Sequence, residues 1–308
     1  MVRILHLGTI AGVPQIIRDE QNRQGNVSKV AWMKQHQHGY PLDILIPSKN
    51  GFLPNSYYRL KYLLKNRDQF DIFHFHVNSA IVNGLDLSIW EILGKKYVLH
   101  YHGSEIRHRK ESMFYKHLPK IKFVSTPDLL QYANNSIWIP NPSPITPILF
   151  DNLKEDKNVK IFHAPSDRTI KGTDTIIKVV QDLKDQGFNI DLQIMENQPY
   201  ELVHEAMKKS DIVIDWINPD YGIYGMVSIE AMSYGKPVIC TLNPEHYPNY
   251  EEIPIINANP IELERNLIYL IENEATRDQI AKKGIDYVIK HHDVVKITKL
   301  IEKNYEIL

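Results

Sequence analysis

Short apolar runs alternate with longer amphipathic stretches through both halves of the chain. Runs of apolar, β-branched and aromatic residues between polar segments predict buried strands, and longer stretches with apolar residues at helical spacing predict helices. The predicted strands are Val2–Leu7, Leu42–Pro47, Ile72–Phe75, Lys96–Tyr101, Lys122–Ser125, Ser136–Ile139, Val159–His163, Asp191–Met195, Ile212–Asp215 and Pro237–Thr241. Strands that alternate with helices indicate βα units, and therefore an α/β protein with parallel sheets.

The helical stretches and a proline-rich segment suggest two domains. Helices are predicted at Ser56–Asn66, Thr173–Gln186, Pro199–Lys208 and Met226–Tyr234, with more from Ile261 onward. Pro140–Pro144 can continue neither a helix nor a central strand, so we expect a linker there, followed by the polar segment Asp151–Asn158. We predict Rossmann-like domains at 1–145 and 146–290, with 291–308 as a helix that packs back toward the first domain. Doubly wound sheets bind ligands at the carboxyl ends of their strands, so we expect the domains to face a central cleft.

Composition places the chain among ordinary globular proteins. Apolar residues make up 43% and charged residues 24% of the 308 residues. Cys240 is the single cysteine, which excludes an internal disulfide and multi-cysteine metal sites and favours a reducing compartment. The sequence has no apolar stretch of about 18 residues and no signal-peptide core near Met1, so we expect a cytoplasmic protein.

The net charge of −1 conceals a division between the two halves. Residues 1–150 carry 18 basic and 10 acidic residues, whereas the remaining residues carry 18 and 27, which gives balances of +8 and −9. This asymmetry suggests that the two domains have different partners.

Residues 212–240 read as strand, glycine-bearing loop, helix, glycine turn and strand. Gly222 and Gly225 allow backbone amides to approach a ligand closely, and the positive end of the helix that begins near Met226 points to the same place. A pyrophosphate fits such a site. Glu230, one helical turn further, could accept hydrogen bonds from ribose hydroxyls. The alternative is a solvent-facing glutamate after a structural turn.

Residues 162–174 place two cations between a predicted strand and a predicted helix. Arg168 and Lys171 would lie at the carboxyl edge of the second sheet, where arginine can grip two phosphate oxygens and lysine supplies a point charge. Together with the glycine-bearing loop in the same half, this pair favours phosphate binding.

These motifs resemble those of GT-B glycosyltransferases, in particular retaining glycosyltransferase family 4 (glycosyl transferases group 1). Arg168 and Lys171-Gly172 are similar to the cations and glycine that bind the donor diphosphate in that family. Glu230-Ala-Met-Ser-Tyr-Gly-Lys-Pro-Val238 resembles the end of its two-glutamate motif. The first glutamate of the motif would fall at position 222, which is Gly222. A subgroup of similar sequences also carries Gly-x-Tyr-Gly here. The carboxylate that usually holds the donor sugar in this family is therefore missing.

The resemblance extends to the first half and implies roles for individual residues. Asp71–His76 resembles the end of a family strand, and Leu99–Arg107 resembles the family's His-Gly motif. By resemblance, His102 would lie over the transferred sugar, with Gly103 and the loop at Gly12 close to the donor. The expected catalytic residues are His102, Arg168 and Lys171. The expected donor-binding residues are Gly12, Gly103, Ser166, Gly172, Tyr224, Gly225, Met226, Val227 and Glu230.

The resemblance implies a hexosyltransferase that transfers sugar with retention, without a cofactor and without a metal. The nucleotide-diphosphate sugar is the donor substrate, and the cations and amides neutralise the leaving diphosphate. An alternative for His74, His76, His100 and His102 is a zinc site, because two His-x-His pairs end neighbouring strands. Packing explains His74 and His100 better, since no nearby carboxylate completes a ligand set.

The acceptor is an unidentified hydroxyl on a glycan, a lipid-linked molecule or a small molecule, and no nucleic-acid partner is expected. Basic residues of the first half could contact anionic lipid at the inner face of a membrane, or they could be ordinary solvated charges. They are Arg59, Lys61, Lys65, Arg67, Arg107, Arg109, Lys110, Lys116, Lys120 and Lys122. Two alternative functions remain: a GT-B nucleotide-sugar 2-epimerase, and a nucleotide-sugar-binding protein with weakened catalysis.

Overall fold

The computed structural model describes residues 1–35, 38–48, 52–143 and 158–308. It divides into two compact units. The first unit contains Met1–Pro142 and Val294–Leu308, and the second contains Ser143–Asp293. The predicted domain boundary at residue 145 and most of the predicted linker, from Pro144 to Lys157, lie outside the described residues.

The first unit is built on a seven-stranded parallel sheet. Its strands are β1 (Arg3–Leu7), β2 (Val27–Trp32), β3 (Ile44–Leu45), β4 (Ile72–His76), β5 (Lys96–Tyr101), β6 (Lys122–Val124) and β7 (Ile137–Trp138), in the order β3-β2-β1-β4-β5-β6-β7. Its helices are α1 (Val13–Arg23), α2 (Phe52–Asn66), α3 (Leu87–Ile92), α4 (Met113–His117) and, from the C-terminal segment, α11 (Val294–Tyr305).

Both faces of this sheet are covered, as a parallel sheet requires. Every residue of β4 is buried. Phe73 and Phe75 lie on one face in a core with Trp90, whereas His74 and His76 lie on the other face. Because successive side chains of a strand point to opposite faces, one face of β4 contributes to an aromatic core and the other carries a line of imidazoles.

The second unit contains a five-stranded parallel sheet. Its strands are β8 (Val159–His163), β9 (Ile190–Ile194), β10 (Ile212–Ile214), β11 (Val238–Cys240) and β12 (Ile255–Asn257), in the order β12-β11-β10-β8-β9. Its helices are α5 (Arg168–Lys171), α6 (Thr173–Asp185), α7 (Tyr200–Lys208), α8 (Met226–Ser233), α9 (Leu263–Glu272) and α10 (Glu274–His291). The strand order reverses beside β8 and β10, so the loops after these two strands lie at neighbouring positions on one sheet edge.

The prediction of an α/β fold with parallel sheets is confirmed in both units. Two strands were missed in the sequence. β2 alternates exposed and buried positions and contains Lys29, and β12 has only three residues. Both strands lie at or near the edge of a sheet, where incomplete burial weakens the hydrophobic pattern that identifies a strand. Among the described residues, no helix combines the length and apolar character needed to cross a bilayer.

Candidate functional site

Lys171 ends α5 and forms a buried ion pair with Asp215, the residue after β10. The Lys171 ammonium donates to Oδ1 of Asp215, and the two side chains are only 6% and 1% exposed. Because buried charges are costly unless paired, this contact fixes the position of both groups. Asp215 was not recognised as a site residue in the sequence, where it stands 44 positions from Lys171.

Asp215 also connects the lysine to the N-terminus of α8. Its Oδ2 accepts a hydrogen bond from the Ser228 hydroxyl at 2.6 Å and a longer one from the Gly225 amide at 3.4 Å. Gly225 is the N-cap of α8, so the amides of Met226 and Val227 lie in the first turn, which an α-helix leaves without intrahelical acceptors. One carboxylate thus brings together a cation and the positive end of a helix.

Trp216 adds an aromatic wall beside the pair. The Lys171 ammonium lies 3.9 Å from the centroid of the Trp216 ring, within the range of a cation–π contact. The indole N–H of Trp216 is buried and has no hydrogen-bond partner among the described residues. A β-carbon at Gly225 would lie 3.2 Å from the same nitrogen. A buried N–H donor without a partner at this place can serve a bound ligand.

Arg168 begins α5 and is half exposed. Its Nε lies 2.7 Å from Oε1 of Glu196, and one Nη lies 3.7 Å from Oδ1 of Asp174. Ser166, two residues earlier, is exposed. An arginine has five N–H donors, so a contact through Nε leaves the Nη groups able to bind an anion. Both predicted cations therefore stand beside a carboxylate, a compensation that the local motif did not reveal.

Gly172 allows α5 and α6 to meet in a tight turn. Its φ is +71°, and a β-carbon there would lie 2.3 Å from the carbonyl oxygen of Ile217. The Ile217 amide in turn donates to the Lys171 carbonyl at 3.0 Å. The glycine thus permits the close backbone approach that places Lys171 beside the loop after β10.

Glu230 lies inside α8 and is buried. Its Oε2 is 3.4 Å from Nε2 of His204 on α7, whose Nδ1 pairs with the Tyr234 hydroxyl at 2.8 Å. The alternative of a solvent-facing glutamate therefore does not hold: the side chain is 6% exposed. His204 was missed in the sequence because it belongs to a different helix, 26 residues away.

Tyr224 precedes α8 with its side chain buried. Its hydroxyl pairs with the Tyr287 hydroxyl and with Nε2 of His292, each at 3.0 Å, and its ring stacks on Tyr247. Burial raises the pKa of Tyr224 well above its usual value. The Tyr224 amide donates to the Tyr247 hydroxyl at 3.2 Å, so protein partners occupy both the hydroxyl and the amide of Tyr224.

Gly222 is the residue at which the family resemblance would place a glutamate, and its backbone and surroundings disfavour any side chain. Its φ is +60°, and a β-carbon would lie 2.6 Å from Cβ of Asn243 and 2.9 Å from the Asn243 amide nitrogen. The Gly222 carbonyl accepts that amide's hydrogen at 2.9 Å. The loop is therefore built around a glycine, because a side chain at position 222 would clash with Asn243.

In the first unit, His102 follows β5 and belongs to a cluster with His6, His74, His76 and His100, here called the histidine chain. Its Nδ1 pairs with the Ser125 hydroxyl at 2.7 Å and its Nε2 with Nδ1 of His76 at 2.9 Å. The backbone amides of His102 and Gly103 donate hydrogen bonds to the carboxylate of Glu105. Both ring nitrogens of His102 thus have protein partners.

The histidine chain also bears on the zinc alternative. Two triads, His6-His74-His76 and His76-His100-His102, bring one ring nitrogen from each member within 4.8 Å of the others. Every ring nitrogen of the five histidines, however, has a hydrogen-bond partner in the protein. These bonds account for the cluster without a metal ion.

Gly12, the other glycine expected near the donor, lies at the N-cap of α1 with φ +72°. A β-carbon there would lie 2.4 Å from the Tyr40 ring, so the loop requires glycine. Gly12 lies in the loop between β1 and α1, and His102 follows β5 of the same sheet.

The predicted basic surface of the first half is smaller than the sequence suggests. Arg59, Arg107 and Lys122 are at most 9% exposed, and the last two pair with Asp128 and Glu111. These three cations cannot lie on lipid while the unit is folded, which corrects the expectation for them. The exposed members of the set are Lys61, Lys65, Arg109, Lys110, Lys116 and Lys120.

No protein-family model and no curated protein matches the sequence. Among solved structures, Anabaena Alr3699/HepE in complex with UDP-glucose is similar over 100% of both chains, with 16% identity and a TM-score of 0.69. An alpha-glucosyltransferase in complex with UDP and DNA is similar over 99% of this chain and all of its own, with 13% identity and a TM-score of 0.67.

A putative UDP-N-acetylglucosamine 2-epimerase from Listeria monocytogenes is similar over 100% of this chain and 97% of its own, at 12% identity and a TM-score of 0.60. At these identities the likeness establishes the fold. Two parallel α/β sheets match those of the glycosyltransferase neighbours from end to end. The chain therefore has the GT-B fold.

Proposed function

We propose that the protein is a retaining glycosyltransferase that moves a sugar from a nucleotide-diphosphate sugar to a hydroxyl acceptor. The observation that carries the proposal is the buried Lys171 held beside the N-terminus of α8 by Asp215. A cation next to first-turn amides is suited to a diphosphate. The bound UDP-glucose and UDP in the two similar structures support this choice of ligand class.

The diphosphate of the sugar donor would meet a site with unused N–H groups, although both of its cations are paired with carboxylates. Lys171 gives one N–H to Asp215 and has three in all, and Arg168 retains its Nη groups. The amides of Met226 and Val227 and the indole N–H of Trp216 add neutral donors. The carboxylates hold this array in place before the donor arrives, so little reorganisation accompanies the reaction.

Breaking the bond between the anomeric carbon and the diphosphate creates an oxocarbenium-like sugar and negative charge on the leaving oxygen. Lys171, Arg168 and the α8 amides stabilise that charge, each well-placed donor contributing several kcal/mol. Retention follows if the acceptor attacks on the face that the diphosphate leaves, with a phosphate oxygen taking the acceptor proton. The proposal requires neither a metal nor a cofactor, and no carboxylate nucleophile.

Glu230 would bind the ribose hydroxyls, and Nε2 of His204 lies 3.4 Å from its carboxylate. The donor sugar would be held without the carboxylate that Gly222 replaces. In the first unit, we assign Gly12, Gly103 and the ring of His102 to the sugar and acceptor side of the reaction.

For the acceptor, we propose the exposed cations of segment 109–120 as a contact with anionic lipid headgroups. Arg109, Lys110, Lys116 and Lys120 are exposed there, and the apolar Met113 between them is 75% exposed. Basic residues around an exposed apolar side chain suit the interfacial region of a membrane. Flotation with vesicles of phosphatidylserine and phosphatidylcholine, compared with phosphatidylcholine alone, tests this contact; equal flotation would contradict it.

Thermal unfolding in the presence of nucleoside diphosphates and nucleotide sugars tests the donor site, because a ligand that binds the native state raises Tm by mass action. We expect at least one donor and its nucleoside diphosphate to raise Tm, and hydroxyl acceptors to increase release of the nucleoside diphosphate from that donor. No shift with any member of the panel would contradict the proposal.

The 2-epimerase alternative has support from the Listeria neighbour. It predicts a changed sugar that forms in the absence of any acceptor. The binding-protein alternative is favoured by Gly222 and predicts a Tm shift with neither product. Analysis of the reaction mixture by anomeric proton NMR separates the three functions.

A further inference from the structure

The histidine chain is a line of stacked, buried imidazoles that crosses three neighbouring strands. His6 lies on β1 opposite His74 of β4, and His76 lies opposite His100 of β5. The ring centroids of His74 and His76 are 4.3 Å apart, and those of His100 and His102 are 4.4 Å apart. The four members on strands are at most 1% exposed, whereas His102 is partly exposed.

The ring nitrogens form one continuous series of hydrogen bonds. In order, the series joins the Tyr305 hydroxyl to His74 Nδ1 (2.6 Å), His74 Nε2 to His100 Nδ1 (3.2 Å), His100 Nε2 to Ser125 Oγ (3.1 Å), Ser125 Oγ to His102 Nδ1 (2.7 Å), His102 Nε2 to His76 Nδ1 (2.9 Å), His76 Nε2 to His6 Nδ1 (2.9 Å), and His6 Nε2 to Gln21 Oε1 (2.8 Å).

The orientation of the Gln21 amide, which the structure places with Oε1 toward His6, decides where every proton lies. An amide oxygen can only accept, so Nε2 of His6 carries the hydrogen and its Nδ1 accepts. A neutral imidazole has one donor and one acceptor, and the same reasoning therefore passes to His76 and then to His102. Ser125 has one hydrogen, which it gives to His102, so it accepts from Nε2 of His100.

The same proton positions are satisfied at the Tyr305 end of the series. His100 accepts through Nδ1 from Nε2 of His74, and Nδ1 of His74 accepts the Tyr305 hydroxyl hydrogen. Every imidazole nitrogen and both hydroxyls of the series then have a partner of the matching kind. A protonated member would lose an acceptor and place two hydrogens in one bond.

We infer that the five histidines are held together in the neutral Nε2–H tautomer, and that Ser125 is the positioning residue that denies His102 a free nitrogen. The electrostatics agree: burial lowers the pKa of His6 to about 4 and that of His102 to about 3. The charged groups nearest to the chain are Glu105, beside the His102 backbone, and Arg18 and Asp43, near His6.

This arrangement limits what His102 can do. Its Nδ1 lone pair is occupied by Ser125 and its Nε2 hydrogen by His76, so it can neither take a proton from an acceptor hydroxyl nor donate to a sugar. His102 can present only its ring carbons and its backbone carbonyl, because Glu105 holds its amide. That consequence rests on the proposed function, whereas the tautomers do not.

Long-range ¹H–¹⁵N NMR of the full chain, labelled at histidine and without nucleotide, tests the tautomers at pH 7. We expect all five rings as neutral Nε2–H forms; any of them as Nδ1–H or as imidazolium would overturn the inference. The result is independent of donor binding, which is tested by the Tm shift. A failure here therefore leaves the donor site standing, and the absence of donor binding leaves the tautomers standing.

Ser125→Ala tests the positioning role. It removes the donor to His102 Nδ1 on the partly exposed ring, so we expect His102 to titrate at a higher pH than in the wild type. Ser136→Ala is the matched control, because it removes a serine hydroxyl bonded at 2.7 Å to the Ala133 carbonyl and touches no histidine. An unchanged His102 titration in Ser125→Ala, with all five rings still resolved, would overturn the assignment to Ser125.

Discussion

The ion pair of Lys171 and Asp215 makes a quantitative prediction for the second unit. Neither side chain has water as an alternative partner at 6% and 1% exposure. Asp215→Asn leaves the ammonium without a counter-charge. Lys171→Met leaves the carboxylate with the Ser228 hydroxyl and the distant Gly225 amide. Removing one partner of a buried pair destabilises a protein by about 3–5 kcal/mol.

The combined variant should behave differently, because it buries no uncompensated charge. Independent effects would add to about 6–10 kcal/mol, whereas a coupled pair predicts that the double variant loses no more than about 3 kcal/mol. The difference between these values is the interaction energy that a double-mutant cycle isolates.

Differential scanning calorimetry measures the effect through the transition of the second unit. At this domain size 1 kcal/mol corresponds to about 2–4 °C in Tm, so each single variant should lower it by roughly 6–20 °C. Glu205→Gln with Lys208→Met, an exposed pair on α7, is the matched control and should show coupling of about 0.3–0.5 kcal/mol. Losses that add in the Lys171–Asp215 double variant would refute the reasoning.

Two further predictions concern the histidine chain and the Gly222 loop. Burial lowers the pKa values of the four strand histidines of the chain, so the unfolded protein takes up protons first as the pH falls. The free energy of unfolding that the four neutral histidines contribute is complete above about pH 6.5. As the pH decreases further, this contribution decreases by at most about 5 kcal/mol per pH unit. Equal free energies of urea unfolding at pH 7 and pH 5.5 would contradict this. Gly222→Ala should cost about 2–5 kcal/mol through its left-handed φ and its clash with Asn243, whereas Gly187→Ala, with φ +94° and open space, should cost only about 1–2 kcal/mol. Equal Tm losses in these two glycine variants would argue against the clash.

The sequence reveals the fold where buried strands are long and apolar. Ile72–Phe75 and Lys96–Tyr101 are predicted within a residue of their observed bounds, because central parallel strands are buried on both faces. β2 was missed since the apolar Val27 and the charged Lys29 are exposed while the polar Ser28 is buried, which blurs the alternation of a buried strand. Position in the sheet, which depends on the other strands, decides which apolar runs become strands.

The candidate site likewise contains residues that the sequence indicates and partners that only the folded structure brings together. Local motifs indicate Lys171, Gly225 and the start of α8, because those residues act through backbone geometry and charge that their neighbours in sequence specify. The partners Asp215 and Glu196 reach the cations only through sheet pairing and loop packing. The His-x-His pairs were recognised, but His6 and Ser125, which complete the hydrogen-bond series, come from separate strands and loops.

Arg168 offers the most direct test of the donor site, because it is half exposed and its removal should spare the fold. Isothermal titration with the nucleoside diphosphate and nucleotide sugar that raise Tm most in the panel should show binding to the wild type. Arg168→Ala should bind about 10- to 100-fold more weakly, as expected for the loss of one charge-assisted contact. Arg265→Ala, an exposed arginine paired with Glu262 in the same unit, should bind as the wild type does. Equal affinities for the wild type and Arg168→Ala would contradict a donor diphosphate bound at this site.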